Sequence, residues 1–406
     1  MAKLNGANTA GRRSKRFAAA VGVAAVAGLV LAGCTPSSGG GGGGAAEYSA
    51  ENPLVLSYAD YAPATASVPF DTFAAEVEEK TEGRVIVEPY WGGTLLGSAD
   101  LASGIQSGVA DFGIFTAVHN ASEHPAQDWL ATLGSVGSTD IPEGVLQGYA
   151  GLSDFSYKSE GLQQAFNDAG LFQLLAFNTI LNYDLICTTP VASLADAEGL
   201  RVRSGGAVWD RELAAAGFVP VTVPIEETYE GLQRGIVDCS VANPRTAMTY
   251  GFWEVAKYYT SVPFTGVNSQ YVVFNQESWD KLTAEDQGIL WDAGHIWWST
   301  MMEVDGIDKY TTLHEDGPSE QNLEFVEAKD DLVNVIRAQQ EVDIDAMSDS
   351  APAVFADPKQ TVTDYLETMD YWLAEVESYD LGSDDDLDLT EFIAATKEQI
   401  WDANRP

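Results

Sequence analysis

The sequence predicts an α/β fold of two lobes, each a small, mainly parallel sheet flanked by helices. Three observations carry this. Apolar residues make up 45% of the chain, enough to build real cores. Residues 54–88 read strand, helix, strand, and a βαβ unit implies a parallel sheet. A helix–glycine–strand junction then occurs twice, at 105–111 and at 232–238.

Residues 1–33 read as an export signal. Lys3, Arg12, Arg13, Lys15 and Arg16 precede an Ala/Val/Leu run that ends in small residues at Gly33. The run is shorter than the about 20 apolar residues of a membrane-spanning helix. Arg12-Arg13 matches a twin-arginine signal poorly, because Ser-Lys-Arg-Phe follows, so general secretion is expected. Cys34, directly after Leu31-Ala32-Gly33, resembles a lipobox, in which the cysteine is acylated and becomes the new N-terminus. Residues 34–50, with six consecutive glycines at 39–44, form a flexible linker. The folded part is therefore expected outside the cytoplasm, anchored to the cell membrane through a lipidated Cys34.

The length from 34 to 406 suits two lobes of ordinary size. The net charge is −40, and removing the five positive charges of the signal leaves −45. Such a surface repels nucleic acid and anionic head groups, so no nucleic-acid partner is expected. Acidity this general suits solubility or salt adaptation and says nothing about a ligand. Cys187 and Cys239 each fall in an expected strand. A disulfide and two buried thiols are equal alternatives there. No Cys/His spacing suits a metal, and no cofactor is expected.

Residues 54–58 read as a buried strand. Phe70, Phe73, Ala74 and Val77 fall at helical spacing, Gly83 ends that helix, and 84–88 alternates as a strand. A glycine-punctuated loop at 92–101 follows, with Ser98 expected to cap a helix that buries Leu101 and Ile105. Gly92 and Gly97 have phosphate-loop spacing, but Ser98-Ala99 stands where Lys-Ser/Thr is required, so this is a turn. Gly108 precedes a strand over 109–115. In the second half, strand 200–203, helix 207–216, strand 219–223 and helix 225–234 lead to Gly235 and another strand. Asp111 and Asp238 stand at matching places after the two glycines. Helix is expected over 277–311, starting at Thr283, with Ile289, Ile296, Trp297 and Met301 as core positions. Helix also continues through 323–347 and 361–379, and 384–388 is an acidic, solvated loop.

GLRVRSGG (199–206), ETYEGLQRGIVD (227–238), ANP (242–244) and FWEVAKYYT (252–260) together resemble the solute-binding proteins of TRAP (tripartite ATP-independent periplasmic) transporters. Residues 73–113 are similar to that family as well, and the resemblance runs continuously over 54–304. It implies a periplasmic-binding-protein-like fold with crossing strands and a long helix spanning both lobes. Lobe I would comprise 51–180 plus 267–325, and lobe II 181–266 plus 326–406 with the C-terminal helices. It also implies a small organic acid closed between the lobes and handed to membrane permease subunits.

By that resemblance Arg203 stands where the family keeps an arginine for the ligand carboxylate, a pairing that a planar guanidinium makes with two parallel hydrogen bonds. Arg201 points to the same face of the strand, so the choice between them rests on the resemblance. Asn243 stands at a pocket position at the C-terminal end of its strand, although Asn-Pro is also a common turn. Thr116, Tyr61 and Asp60 follow strands that face the same cleft. Trp209 could cover the ligand, but its spacing with Leu213 suits core packing better. The second arginine of sialic-acid binders would fall near Tyr183, where this chain has none. His119 and His124 read as solvated loop residues.

The expected role is a non-enzymatic receptor. A lipid-anchored hydrolase finds no support, since neither a Gly-x-Ser-x-Gly elbow nor a His-Glu-x-x-His motif is present. A lipoprotein presenting its ligand to a signalling receptor would use the same cleft.

Overall fold

Phe70, Phe73 and Val77, one face of helix Val68–Lys80, bury against two strands: β1 (Leu54–Ala59), through Leu56 and Tyr58, and β2 (Val85–Tyr90), through Val85 and Val87. Pro69 sits in the first helical turn, where its missing N–H costs no hydrogen bond. The computed structural model describes residues 48–178, 182–267, 269–383 and 386–406. The export signal, Cys34 and the linker to residue 47 lie outside them, as do residues 384 and 385 of the acidic run.

Helix Leu101–Gln106 and β3 (Phe112–Thr116) follow. Ser98 does not cap that helix, whose N-cap is Asp100; its N–H and hydroxyl are bonded to Glu226 instead. The strand begins three residues later than expected, because Val109 stays exposed in the turn after Gly108.

Seven further strands belong to the same two sheets. They are β4 (Leu171–Phe177), β5 (Asn182–Cys187), β6 (Arg201–Ser204), β7 (Val219–Thr222), β8 (Cys239–Ala242), β9 (Tyr258–Thr265) and β10 (Gln270–Asn275). An eighth, β11 (Glu324–Val326), lies at the edge of the second sheet. The first sheet runs β2-β1-β3-β10-β4 and the second β11-β9-β5-β8-β6-β7. Within each, the βαβ strands pair in parallel, while β10 and β5 run antiparallel to both neighbours. The chain thus crosses to the second sheet between β4 and β5 and returns between β9 and β10.

The repeated junction has one geometry. After Gly108 (φ 74°) the Asp111 N–H reaches Ser57 O at 3.1 Å, and Asp111 Oδ2 accepts the Ser57 N–H at 2.8 Å. After Gly235 (φ 68°) the Asp238 N–H reaches Arg201 O at 2.8 Å, and Asp238 Oδ2 accepts the Arg201 N–H at 2.9 Å. Each aspartate clamps the parallel strand beside it. Both glycines hold a left-handed conformation that a side chain would strain. Cys187 and Cys239, opposite each other on β5 and β8, form a disulfide.

Thr283 caps helix Ala284–Met301, which continues through a π-helical stretch, Met302–Asp308, into helix Lys309–Glu320. This long run packs on helix Val68–Lys80 and β4 at its start and on helix Pro244–Thr249 near its end, so it spans both sheets. Trp297 and Met301 are buried as expected, but Ile296 is 37% exposed and Ile289 half-buried. The buried stripe lies on Leu290, Trp291, Trp297 and Trp298, because the C-terminal segment covers that side: Trp291 Nε1 donates to Trp401 O at 2.9 Å.

Two C-terminal expectations change. Residues 324–326 are strand rather than helix, since they pair with the open edge of β9. Of the C-terminal helices among the described residues, Asp330–Met347 lies on the second sheet, burying Leu332 and Ile336. Helix Pro358–Ser378 packs on Glu143–Lys158 beside the first sheet, where Gln147 Nε2 donates to Met369 O and Trp372 Nε1 to Asp154. That differs from the expected placement of 326–406 in lobe II.

Candidate functional site

A cavity of about 40 Å³ lies between the two sheets, at the carboxyl ends of β1, β3, β6 and β8. This is where ligands of open α/β sheets collect. Tyr61, Thr116, His119 and Gln270 line it from the first sheet; Tyr183, Arg203, Trp209, Arg245 and Tyr250 line it from the second. Larger cavities exist elsewhere, among them one of about 580 Å³ by helix Pro358–Ser378. The small one is singled out by the buried charged and polar groups that converge on it.

Arg203 belongs to β6, whose Val202 faces the core while Arg203, only 4% exposed, faces the cavity. Its Nε donates to Val223 O at 3.1 Å, and among the described residues it makes no ion pair. Burial pulls its pKa down, while the fields of Tyr250, Tyr183, Tyr61 and Glu226 oppose that. Arg201 is different: its guanidinium points outward into a two-pronged pair with Asp238, at 3.0 and 2.8 Å. The two arginines that sequence alternation leaves equal are therefore separated by burial.

Arg245, on the first turn of helix Pro244–Thr249, is the second buried arginine. Burial disfavours its charge, but Asp305 beside it more than compensates and holds it above its usual pKa. Arg245 Nε donates to Asp305 Oδ2 at 2.9 Å, and Lys309 Nζ to Asp305 Oδ1 at 2.6 Å. Asp305 stands on the π-helical stretch, a widened turn that often marks a functional position. Against its own burial, the two cations hold its carboxyl below the usual value.

Three buried polar atoms around the cavity have no partner among the described residues: His119 Nδ1, Tyr250 Oη and Gln270 Oε1. Burial, with Arg203 second, pushes the His119 pKa down to about 3, so the imidazole is neutral at pH 7. Burial likewise keeps Tyr250 a neutral phenol. Tyr61 Oη and Thr116 Oγ1 share a 2.8 Å hydrogen bond across the rim. Gly206 lets the two sides meet, because a Cβ there would fall 2.9 Å from Val118 Cβ.

Of the residues singled out in the sequence, Thr116, Tyr61, Arg203, Trp209 and Tyr183 line the cavity. Trp209 also packs in the second core, and its Nε1 donates to Thr265 O at 2.7 Å. Asp60 and Asn243 stand behind the wall. Asp60, its pKa raised by burial to about 6, accepts from Tyr58 and from the Ala62 N–H. Asn243 Oδ1 accepts the Thr246 N–H at 2.8 Å and caps its helix. His124 is not solvated, being 3% exposed against Phe115, and His119 is half-buried, its Nδ1 shielded and its ring against Tyr61. Arg245, Tyr250 and Gln270 went unnoticed, although Arg245 follows two residues after the chosen asparagine.

Residues 147–306 match the family described as bacterial extracellular solute-binding protein, family 7. Over those residues the chain is similar to that family. A solute-binding protein of Albidiferax ferrireducens is 24% identical over 230 residues, which is 55% of this chain and 64% of that one. The chain thus spans less than two thirds of that relative's length. It is 28% identical over 179 residues to the C4-dicarboxylate-binding periplasmic protein of Rhodobacter capsulatus, covering 44% of this chain and 46% of the other. In fold it resembles an extracytoplasmic solute receptor of Bordetella pertussis that binds pyroglutamic acid. The TM-score is 0.61 at 21% identity, over 77% of this chain and 99% of that one.

Proposed function

We propose that this chain is an extracytoplasmic receptor that captures a small organic acid between two lobes and delivers it to a TRAP-type membrane permease. It works without catalysis, tethered through a lipid on Cys34. The observation that carries the reading is Arg203, a buried guanidinium with no ion pair among the described residues, facing a cavity between the two sheets. A buried charge in that state favours an anionic partner, and the fork of a guanidinium matches a carboxylate. Tyr250 adds a hydroxyl donor, and Thr116, Tyr61, Tyr183 and Trp209 shape the wall. Asp60 and Asn243 act behind that wall, holding Ala62 and the Thr246 turn in place. The acids bound by the Rhodobacter and Bordetella relatives are of this chemical class.

The chain crosses between the two sheets twice, after β4 and after β9, and lobes joined in this way close by a hinge around the ligand. A thermal-shift screen tests the reading by pairing small carboxylates with their neutral amides. A true ligand at a hundredfold excess over its dissociation constant adds about 2.7 kcal/mol to the folded form. Melting temperatures that rise equally with acids and amides, or with neither, contradict it.

A further inference from the structure

Beyond the inner cavity lies an outer chamber of about 480 Å³, with Tyr250 forming a wall of both. Its sides include Tyr229, Met248 and Trp253 from the second sheet's helices, and Thr65 closes it from the first. Lys309 lines it as well, but that ammonium is held by Asp305 and Thr249. Size separates the two spaces. About 40 Å³ admits roughly three water-sized spheres, the bulk of a carboxylate and not of a whole organic acid. The outer chamber is instead of ordinary ligand-pocket size, from about 300 to 1,000 Å³.

Resting on the carboxylate reading above, we infer that the ligand is an acid with an apolar, preferably aromatic, tail. Its carboxylate enters the inner cavity at Arg203, and its tail passes Tyr250 into the outer chamber among Trp253, Tyr229 and Met248. Aromatic walls favour such a tail, because they supply large apolar faces and offset stacking geometry. Glu254, the carboxylate lining this chamber, lies 3.4 Å from the Tyr229 hydroxyl and repels a second anionic group. Compact polyhydroxylated acids and dicarboxylates are therefore disfavoured there.

Calorimetric titration of the full chain with propionate, 4-phenylbutyrate and glucuronate tests this. Phenylbutyrate should bind at least about tenfold tighter than propionate, the margin expected from burying a phenyl ring. Trp253→Ala should erase most of that margin. Tyr229→Ala gives the same readout should Trp253→Ala fail to fold. Arg203→Ala should weaken both monoacids by about tenfold or more. Equal binding of the two monoacids, or a margin unchanged in Trp253→Ala and Tyr229→Ala, overturns the tail assignment. So does glucuronate binding in preference to both, which leaves the carboxylate reading standing. Monoacid affinities untouched by Arg203→Ala, or no acid bound at all, overturn the carboxylate reading and the tail assignment with it.

Discussion

Glu226 holds Ser98 across the cleft: its carboxylate accepts the Ser98 N–H at 2.8 Å and the Ser98 hydroxyl at 3.0 Å. Ser98 lies in the loop after β2 and Glu226 in the turn after β7, so this contact joins the two sheets where they must part for a ligand to enter. Hydrogen bonds to a charged acceptor contribute about 1.5–3 kcal/mol each when sheltered, and less at a half-exposed site. Glu226→Ala should shift the ligand-free chain towards an open form. Small-angle scattering should then show a larger radius of gyration than in the parent chain; identical curves would mean that the contact does not set closure.

Glu212 gives a pH signature. Its carboxylate accepts from the Thr265 N–H and hydroxyl, yet burial still raises its pKa to about 7. Between the unfolded value of 4.5 and about 7, the folded chain keeps a proton that the unfolded chain has released. Stability from this group is therefore full below 4.5 and lost as pH rises through 7. Relative to wild type, Glu212→Gln should gain on the order of 3 kcal/mol between pH 4.5 and 7.5. Urea melts across that range should show the difference widening with pH. A constant difference would contradict the assignment. The comparison must be with the variant, because the depressed His124 and His295 tilt the whole chain the other way.

Much of the fold is legible along the sequence, because local signals specify it. Gly108 and Gly235 mark the two junctions, and the aspartates after them hold neighbouring strands as their matching order suggests. What sequence reasoning misses is made by distant parts. Arg245 looks like an ordinary helix-surface residue until Asp305, sixty positions on, neutralises it. Asp305 faces it only because the long helix widens into a π-turn, which no 3.6-residue period announces. His119 looks solvated because the residues around it, Tyr61 and Arg203, lie far from it in the sequence. Burial of Arg203, against exposure of Arg201, likewise depends on where β8 places Asp238.

The Arg245–Asp305 pair should matter for folding as well as for the site. Asp305→Asn leaves Arg245 and Lys309 partly buried without their shared carboxylate, and breaking one side of a buried pair costs about 3–5 kcal/mol. A fall of that order in urea-melt stability is expected. A change below 1 kcal/mol would mean that water reaches both cations freely.

The Cys187–Cys239 disulfide closes a segment of sequence separation 52. Restricting an unfolded loop of that size is worth about 4 kcal/mol in the chain-entropy view, with measured values more often about 2–4. Replacing both cysteines with alanine should lower stability by that amount while ligand affinity stays within about twofold, since neither residue lines the cavity. A large loss of affinity in a fully folded variant would contradict the placement of the site.

Arg203→Lys tests the central claim most directly. Lysine keeps the charge but not the planar fork, and losing one of two charged hydrogen bonds in a closed cleft costs about 1.5–3 kcal/mol. Calorimetric titration with the tightest acid from the thermal-shift screen should show affinity falling about tenfold to a hundredfold. Arg201→Lys, on the same strand but exposed and paired with Asp238, should change it by less than about twofold. Equal losses at both positions, or a loss at Arg201 alone, would contradict the assignment of Arg203 as the carboxylate anchor.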